Sequence, residues 1–250
     1  MCEELKQRFE AFKRRDLYDA RLVALFLDAT FIAVRPAGQR RACRSRGFHR
    51  ERRASPVGGE LGNARVLRGL AIVADGAPGL VKAIEQCWPA SDRQRCCVHR
   101  ARDLYAKLPD RERERVKHAY WQELDDAISE QDAKQRLRAL VDDLDKGGFT
   151  AAARCLADDL DALVVHLRYP PRHRRRWRST NLLERSLGEV KRRTKVMGRF
   201  PGETSCLTLV WAVLDLLITH QTNGINFNAL DRQRLKRMRY AGHDRSSPRR

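Results

Sequence analysis

The chain has 250 residues with an ordinary hydrophobic content of 42%, enough for one good core or two small ones. Its charge is not ordinary: 51 Lys and Arg against 32 Asp and Glu give +19 at pH 7, which calls for a polyanionic partner, most directly a nucleic-acid backbone. A membrane-surface partner would want the basic residues along one long amphipathic helix, which they are not, and the most apolar stretch, 206–218, is too short to span a bilayer and contains Asp215.

No N-terminal stretch combines a basic start, an apolar core and a small-residue cleavage site, so the expectation is a soluble intracellular protein. The seven cysteines, Cys2, Cys43, Cys87, Cys96, Cys97, Cys155 and Cys206, are odd in number and irregularly spaced, as reduced and mostly buried thiols are.

Residues 1–20 read as a charged helix or helix pair with Leu5, Phe9 and Phe12 as its apolar stripe. The β-branched and aromatic run from Leu22 to Val34 reads as a buried strand with Asp28 in its middle. A carboxylate there needs a salt bridge, hydrogen bonds or a cation. Residues 36–69 break the pattern: nine arginines, no lysine, no aspartate and two glutamates, with no apolar period of 2 or 3.6. This stretch is expected to be poorly ordered, either a basic arm that folds on DNA or sequence never selected as protein.

Order resumes at Leu70-Ala71-Ile72-Val73-Ala74-Asp75-Gly76, a short apolar strand ending in a carboxylate, then a Gly/Pro turn and a helix from about Gly79 to Cys87. Ligands bind outside strand C-termini in open α/β sheets, so Asp75 is placed either for chemistry or for an Asx turn. Cys96 and His99, at C-x-x-H spacing, match half of a zinc site without a second half, and a second strand with buried thiols is the simpler expectation.

From about 100 to 167 the chain reads as a helical hairpin. Its first arm carries Leu124, Ile128, Leu137, Leu140, Val141 and Leu144 and stops at Gly147-Gly148. Its second arm runs from Thr150 to Arg168, with Leu156, Leu160, Leu163, Val164 and Leu167 inward, and stops at Pro170-Pro171. The acidic residues Asp125, Asp126, Asp142, Asp143, Asp158 and Asp159 read as solvated faces. Arg168, Arg172, Arg174, Arg175, Arg176 and Arg178, with Tyr169 and Trp177 interleaved and few carboxylates nearby in sequence, read as a nucleic-acid surface of phosphate-binding forks and base-stacking rings.

A helix then opens at Ser179-Thr180-Asn181, with Asn181 as its cap, Leu183, Leu187 and Val190 on one face, and Arg185, Lys191, Arg192, Arg193 and Lys195 extending the basic field. Glu184 in its first turn is either the return partner of a capping box or a metal-holding carboxylate. An apolar helix over 204–221 carries Leu207, Val210, Trp211, Leu214, Leu217 and Ile218, and the basic tail after Leu230 is expected to fray. Asp28, Asp75 and Glu184 come from separate elements. If they converge, three carboxylates hold two divalent cations about 4 Å apart for phosphodiester chemistry.

Several blocks resemble the mutator-type (MULE-like) transposases of bacterial insertion sequences, over residues 11–35 and 70–240. They are Arg15-Asp16-Leu17, Leu27-Asp28-Ala29-Thr30, the run from Val73 to Ile84, Gln94-Arg95-Cys96-Cys97-Val98-His99-Arg100, Thr180-Asn181-Leu182-Leu183-Glu184-Arg185, and 192–203 from Arg192-Arg193-Thr194-Lys195 to Arg199-Phe200-Pro201-Gly202-Glu203. The resemblance implies an α/β RNase H-like catalytic core interrupted by an all-helical insertion, with the disordered basic stretch 36–69 in place of two core strands. It divides the chain into 1–99 (first part of the core), 100–178 (insertion), 179–230 (second part, with the Glu184 helix) and 231–250 (basic tail). It implies Asp28, Asp75 and Glu184 as a DDE triad holding two Mg2+ (or Mn2+) ions, and Cys96 and His99 as the family's C-x-x-H motif. The activity implied is cleavage at transposon ends and transfer of the 3′-hydroxyl into target DNA, by a homo-oligomer, on DNA and no membrane, in the bacterial cytoplasm at the nucleoid.

The chain departs from the family pattern at Asp103, where Asn is usual, and across 36–69, and the family's N-terminal DNA-binding region is expected to be absent. An arginine-rich, lysine-free stretch between matching blocks is what compensating frameshifts in a GC-rich gene produce. The alternative function is therefore a non-catalytic DNA-binding remnant of a transposase.

Overall fold

The computed structural model describes residues 3–14, 24–27, 71–197, 200–219 and 227–244. The expectations for 28–34 and 36–69, the position of Asp28 among them, lie outside the described residues. The architecture is mixed α/β, mostly helical with a small parallel sheet, and the chain divides into two compact units.

The larger unit takes its described residues from 24–27, 71–183 and 227–244. Its sheet has three strands in the order β1 (Ala24–Leu27), β2 (Ala71–Ala74) and β3 (Asp92–Arg95), all parallel. Ala24 to Leu27 pair in register with Ala71 to Ala74, which pair in turn with Asp92 to Arg95. The central strand is apolar, with all four residues buried, as a strand covered on both faces should be. A parallel neighbour needs a crossover, and between β2 and β3 it is the helix Pro78–Cys87, opened by its proline.

Strand β3 carries no apolar residue. Gln94 is fully buried and satisfied on every side: its Nε2 donates to Arg95 O (2.6 Å) and Leu163 O (2.9 Å), while its Oε1 accepts the His166 amide (2.6 Å). Burial holds the His166 imidazole down at about 4, so it is neutral beside Gln94. The buried thiols expected in this strand follow it instead: Cys96 is the residue after β3, and Cys97 opens the helix Cys97–Tyr105.

The expected hairpin is a bundle of shorter helices: Cys97–Tyr105, Asp110–Asp125, Glu130–Lys146, Thr150–Ala157 and Leu160–Leu163, then a 3-10 turn at Val165–Arg168. Leu104, Val116, Tyr120, Leu137, Leu144, Leu156 and Leu163 form their common core. Local chemistry makes the breaks. Ser129 Oγ accepts the Asp132 amide (3.2 Å) while Asp132 Oδ2 accepts the Ile128 amide (3.0 Å), a reciprocal cap that starts a helix. Ile128 is therefore outside any helix and 80% exposed, against expectation. Gly148, at φ +80°, ends the helix Glu130–Lys146 as its sequence suggested. The 150–168 arm is broken at Asp158-Asp159.

The basic tail is not frayed over its described length: Ala229–Asp244 is a helix, with Leu235 buried against Ala71, Val165, Tyr169 and Trp177. Asn228 Oδ1 accepts the Asp231 amide (2.7 Å) and Asp231 Oδ2 accepts the Asn228 amide (3.3 Å), so this helix too begins with a reciprocal cap. Buried Asp231 also meets buried His173 Nε2 at 3.3 Å, on the helix Pro171–Trp177.

In the smaller unit the helix Glu3–Lys13 packs on the helix Glu203–Thr219. The Phe9 and Phe12 rings lie 5.9 and 5.8 Å from Trp211, and Arg8 Nη2 pairs with Asp215 Oδ2 at 2.8 Å, which accounts for the one acid in the apolar stretch. Leu207, one of the apolar residues this helix carries, is 47% exposed, while Cys206 and Val213 are buried. A helix apolar around most of its circumference gives periodicity no face to choose. Among the described residues no helix is long and apolar enough to cross a membrane.

Candidate active site

Asp75 leaves the C-terminal end of β2 half-buried, and its Oδ1 accepts the Ala77 amide at 3.0 Å. The Asx turn weighed from sequence is thus present, and it orients the carboxylate rather than consuming it, since an ionised carboxylate has about four acceptor sites. Gly76 between them has φ +82°, and a Cβ there would overlap the Arg95 guanidinium, so the turn requires glycine for two separate reasons.

Strand β3 hands the chain to the C-x-x-H motif. The Cys96 amide continues the ladder to Ala74 O (2.8 Å), and its fully buried Sγ accepts from both the amide and the hydroxyl of Thr180 (3.4 Å each). His99 Nδ1 lies 3.4 Å from the same Thr180 hydroxyl, and the Cys97 amide donates to Arg178 O (2.8 Å). Cys97 is a structural thiol, pushed up to about 12 by burial. The motif and its neighbour therefore pin residues 178–180, and the helix Asn181–Thr194 starts at once after them. Asn181 is already its first helical residue, one place on from a cap. Glu184 stands half-buried in the first turn, Val190 is fully buried, and Leu183 and Leu187 are half-buried on the expected face.

The basic run 168–178 is less bare than its sequence. Arg168 grips Glu130 with two nitrogens (2.6 and 2.9 Å) and Asp92 with the third (2.6 Å), and its fork, with desolvation opposing, holds Glu130 down at about 2. Arg178 pairs with Asp125 (2.5 Å) and lies 4.9 Å over the Trp121 ring, and Arg175 reaches the same acid at 3.7 Å. Arg172 stands 3.8 Å from Asp231, and Arg174 Nε donates to Tyr169 O (3.1 Å).

Trp177 and Tyr169 are each 1% exposed and packed edge to face at 4.7 Å. Trp177, placed in the nucleic-acid surface from its sequence, is core, and its ring has no free face for a base. Exposed guanidinium groups remain at Arg172, Arg175 and Arg176. In the smaller unit Arg185, Lys191, Arg192, Arg193 and Lys195 are exposed, with Arg192 and Arg193 both bonded to Glu189, which they hold down at about 2.

Sequence reading named Arg95, Asp103 and Asp159 but did not connect them. Arg95 is 8% exposed, with Nη2 on Asp103 Oδ2 (2.9 Å) and Nε 3.1 Å from Asp159 Oδ2, an acid that also pairs with Arg100. The signal was a strand with only polar side chains directly before two cysteines.

The sequence profile "Transposase, Mutator family" matches residues 61–221, more than half of the chain and inclusive of Asp75, Cys96, His99 and Glu184. The chain belongs to this family. It is 31% identical over 236 residues to the transposase for insertion sequence element IS1081 of Mycobacterium tuberculosis, covering 86% of this chain and 56% of that protein. It is 33% identical over 147 residues to the transposase for insertion sequence element IS256 in transposon Tn4001 of Staphylococcus aureus, covering 57% and 36%. A probable transposase for an insertion sequence element of Corynebacterium diphtheriae is 29% identical over 155 residues, covering 62% and 45%. The Mutator-family chain described above thus spans about half the length of the curated relatives it matches, and the family resemblance of its motif blocks is borne out.

Proposed function

We propose that this chain acts as an insertion-sequence transposase on an RNase H-like core, with Asp28, Asp75 and Glu184 as its catalytic carboxylates. The register of the sheet supports this reading most. Leu27, the residue before Asp28 in sequence, is the partner of Ala74, the residue before Asp75, in a parallel pair. Adjacent strands run about 4.8 Å apart, a spacing at which two carboxylates can share a cation. The family match supplies the class of reaction, and the third carboxylate is assigned on the matched block around Glu184.

Oxygen donors of this kind suit hard divalent cations, Mg2+ or Mn2+, and two such ions would supply an activated attacking oxygen and stabilise the leaving one. The chain's own residues do the rest. The Ala77 amide aims Asp75, and the exposed Arg172, Arg175, Arg176, Arg185, Lys191, Arg192, Arg193 and Lys195 bind backbone phosphates without reading sequence. The partners are transposon ends and target DNA, held by a homo-oligomer at the nucleoid.

A second reading, a remnant that binds DNA without cutting it, is favoured by the composition of 36–69, nine arginines without one lysine. Nicking of a transposon-end duplex separates the two. Cleavage dependent on Mg2+ or Mn2+ and abolished by Asp75→Asn and Glu184→Gln establishes the enzyme, whereas tight binding without cleavage establishes the remnant.

A further inference from the structure

Among the described residues, a buried charged group that lies close to Asp75 and was given no role of its own by the family motif reading is Arg95. Its guanidinium occupies the place where any side chain at position 76 would go, with Nη1 nearest, in the turn that carries the Asp75–Ala77 bond. Two carboxylates hold it from the far side. Asp103 takes Nη2 at 2.9 Å, and Asp159 lies 3.1 Å from Nε, off the N–H direction, as an ion pair rather than a hydrogen bond. Asp159 is fixed in turn by Arg100, whose Nη1 donates to Cys155 Sγ (3.1 Å). Nη1 of Arg95, the nitrogen over Gly76, has no hydrogen-bond partner among the described residues. Buried donors are rarely left so, and this one is held there by its two anchored neighbours.

We propose that Arg95, anchored by Asp103 and Asp159, is a positioning residue for Asp75: it presses on Gly76 and so fixes the turn that aims the carboxylate. The proposal deepens the reading of Asp75 as a catalytic ligand and rests on it. A planar fork suits the task, because Nη1 lies at the glycine while Nη2 and Nε meet two acids, and a lysine ammonium has no such fixed spread of nitrogens. Asp103, the departure from the family's usual Asn, becomes a charged anchor for Arg95. Asp159 sits at the break between two bundle helices, so the helical region contributes to the geometry of the sheet edge. Burial and Arg100 lower the Arg95 pKa while Asp103 and Asp75 raise it, which places the Asp75 charge within electrostatic reach.

Hydrogen exchange of the Ala77 amide reads the turn directly and needs neither metal nor DNA. In the full chain, Arg95→Met and Asp159→Asn should speed Ala77 exchange by about tenfold while the β2 amides Ile72 and Val73 keep their wild-type rates, with Arg95→Lys close to Met. Asp103→Asn, at a half-exposed acid, should give a smaller acceleration at Ala77 alone, and it serves if Arg95→Met does not fold. Unchanged Ala77 exchange in the folded variants, or equal acceleration across β2, overturns the positioning role. Metal-dependent nicking keeps the two readings apart. If wild type nicks and Asp75→Asn does not, yet Ala77 ignores Arg95, positioning fails alone. If Ala77 responds but wild type never nicks, the catalytic reading fails alone.

Discussion

Trp177 offers the sharpest test of the basic surface. A tryptophan amid six arginines invites a base-stacking role, but here the ring is 1% exposed, edge-on to Tyr169 and stacked at 5.8 Å with His173. Truncation to alanine removes about 200 Å² of buried apolar surface, or about 5 kcal/mol at 25 cal/mol/Å². Measured aromatic truncations run at about 3–5 kcal/mol, so about 4 is expected for Trp177→Ala. Trp177→Phe keeps most of the contact and removes an indole N–H that has no partner among the described residues, so its cost should stay at about 1 kcal/mol. Urea unfolding followed by far-UV circular dichroism measures both, and fluorescence anisotropy with single-stranded and duplex DNA measures binding. A stacking tryptophan loses about 1–3 kcal/mol per base on removal. A core tryptophan predicts that the Phe variant binds DNA as wild type does. An Ala variant as stable as wild type, or a stable Phe variant with tenfold weaker binding, would refute the placement.

Two further outcomes follow from packing and charge. Glu130 titrates at about 2 in the fold instead of near 4.5, so its contribution is complete above about pH 4.5 and disappears as pH falls through about 2. At this quarter-exposed site the effect after solvent screening should be about 1–2 kcal/mol, and Glu130→Gln should flatten the stability profile between pH 5 and pH 2; an unaltered slope would contradict it. Leu235→Ala should destabilise the larger unit by about 2–4 kcal/mol and lower its melting temperature, whereas an undocked tail would leave the melting temperature unchanged.

Features set by neighbours in sequence were legible, and features set by distant partners were not. The run Leu70–Ala74 announced β2, and Gly147-Gly148 announced a helix end. Strand β3 carried no such mark, because Gln94 is made a core residue by Leu163 and His166, some seventy positions away. Asp125 and Asp159 passed as solvated acids for the same reason: Arg178 for one, Arg95 and Arg100 for the other, come from elsewhere in the chain. The basic run looked unbalanced only because Asp92 and Glu130, which hold Arg168, are distant in sequence. The C-terminal helix had its signal in plain view, Asn228 three residues before Asp231. For the site, Asp75 and Glu184 stood out as carboxylates at the end of a strand and the start of a helix. Arg95, which shapes the turn at Asp75, did not, since only the fold brings it onto Gly76.

The cluster around Ala71 also sets an order of events during synthesis. The helical core from Cys97 to Leu167 draws on one unbroken stretch and closes through short loops, the kind of contact that forms early. The sheet's cluster must gather Phe26, Ala71, Val165, Tyr169, Trp177 and Leu235 from remote stretches. A ribosome delivers them in that order, so the bundle can be complete while the sheet still waits. Until Leu235 has been made, the cluster at Ala71 lacks one of its five buried members.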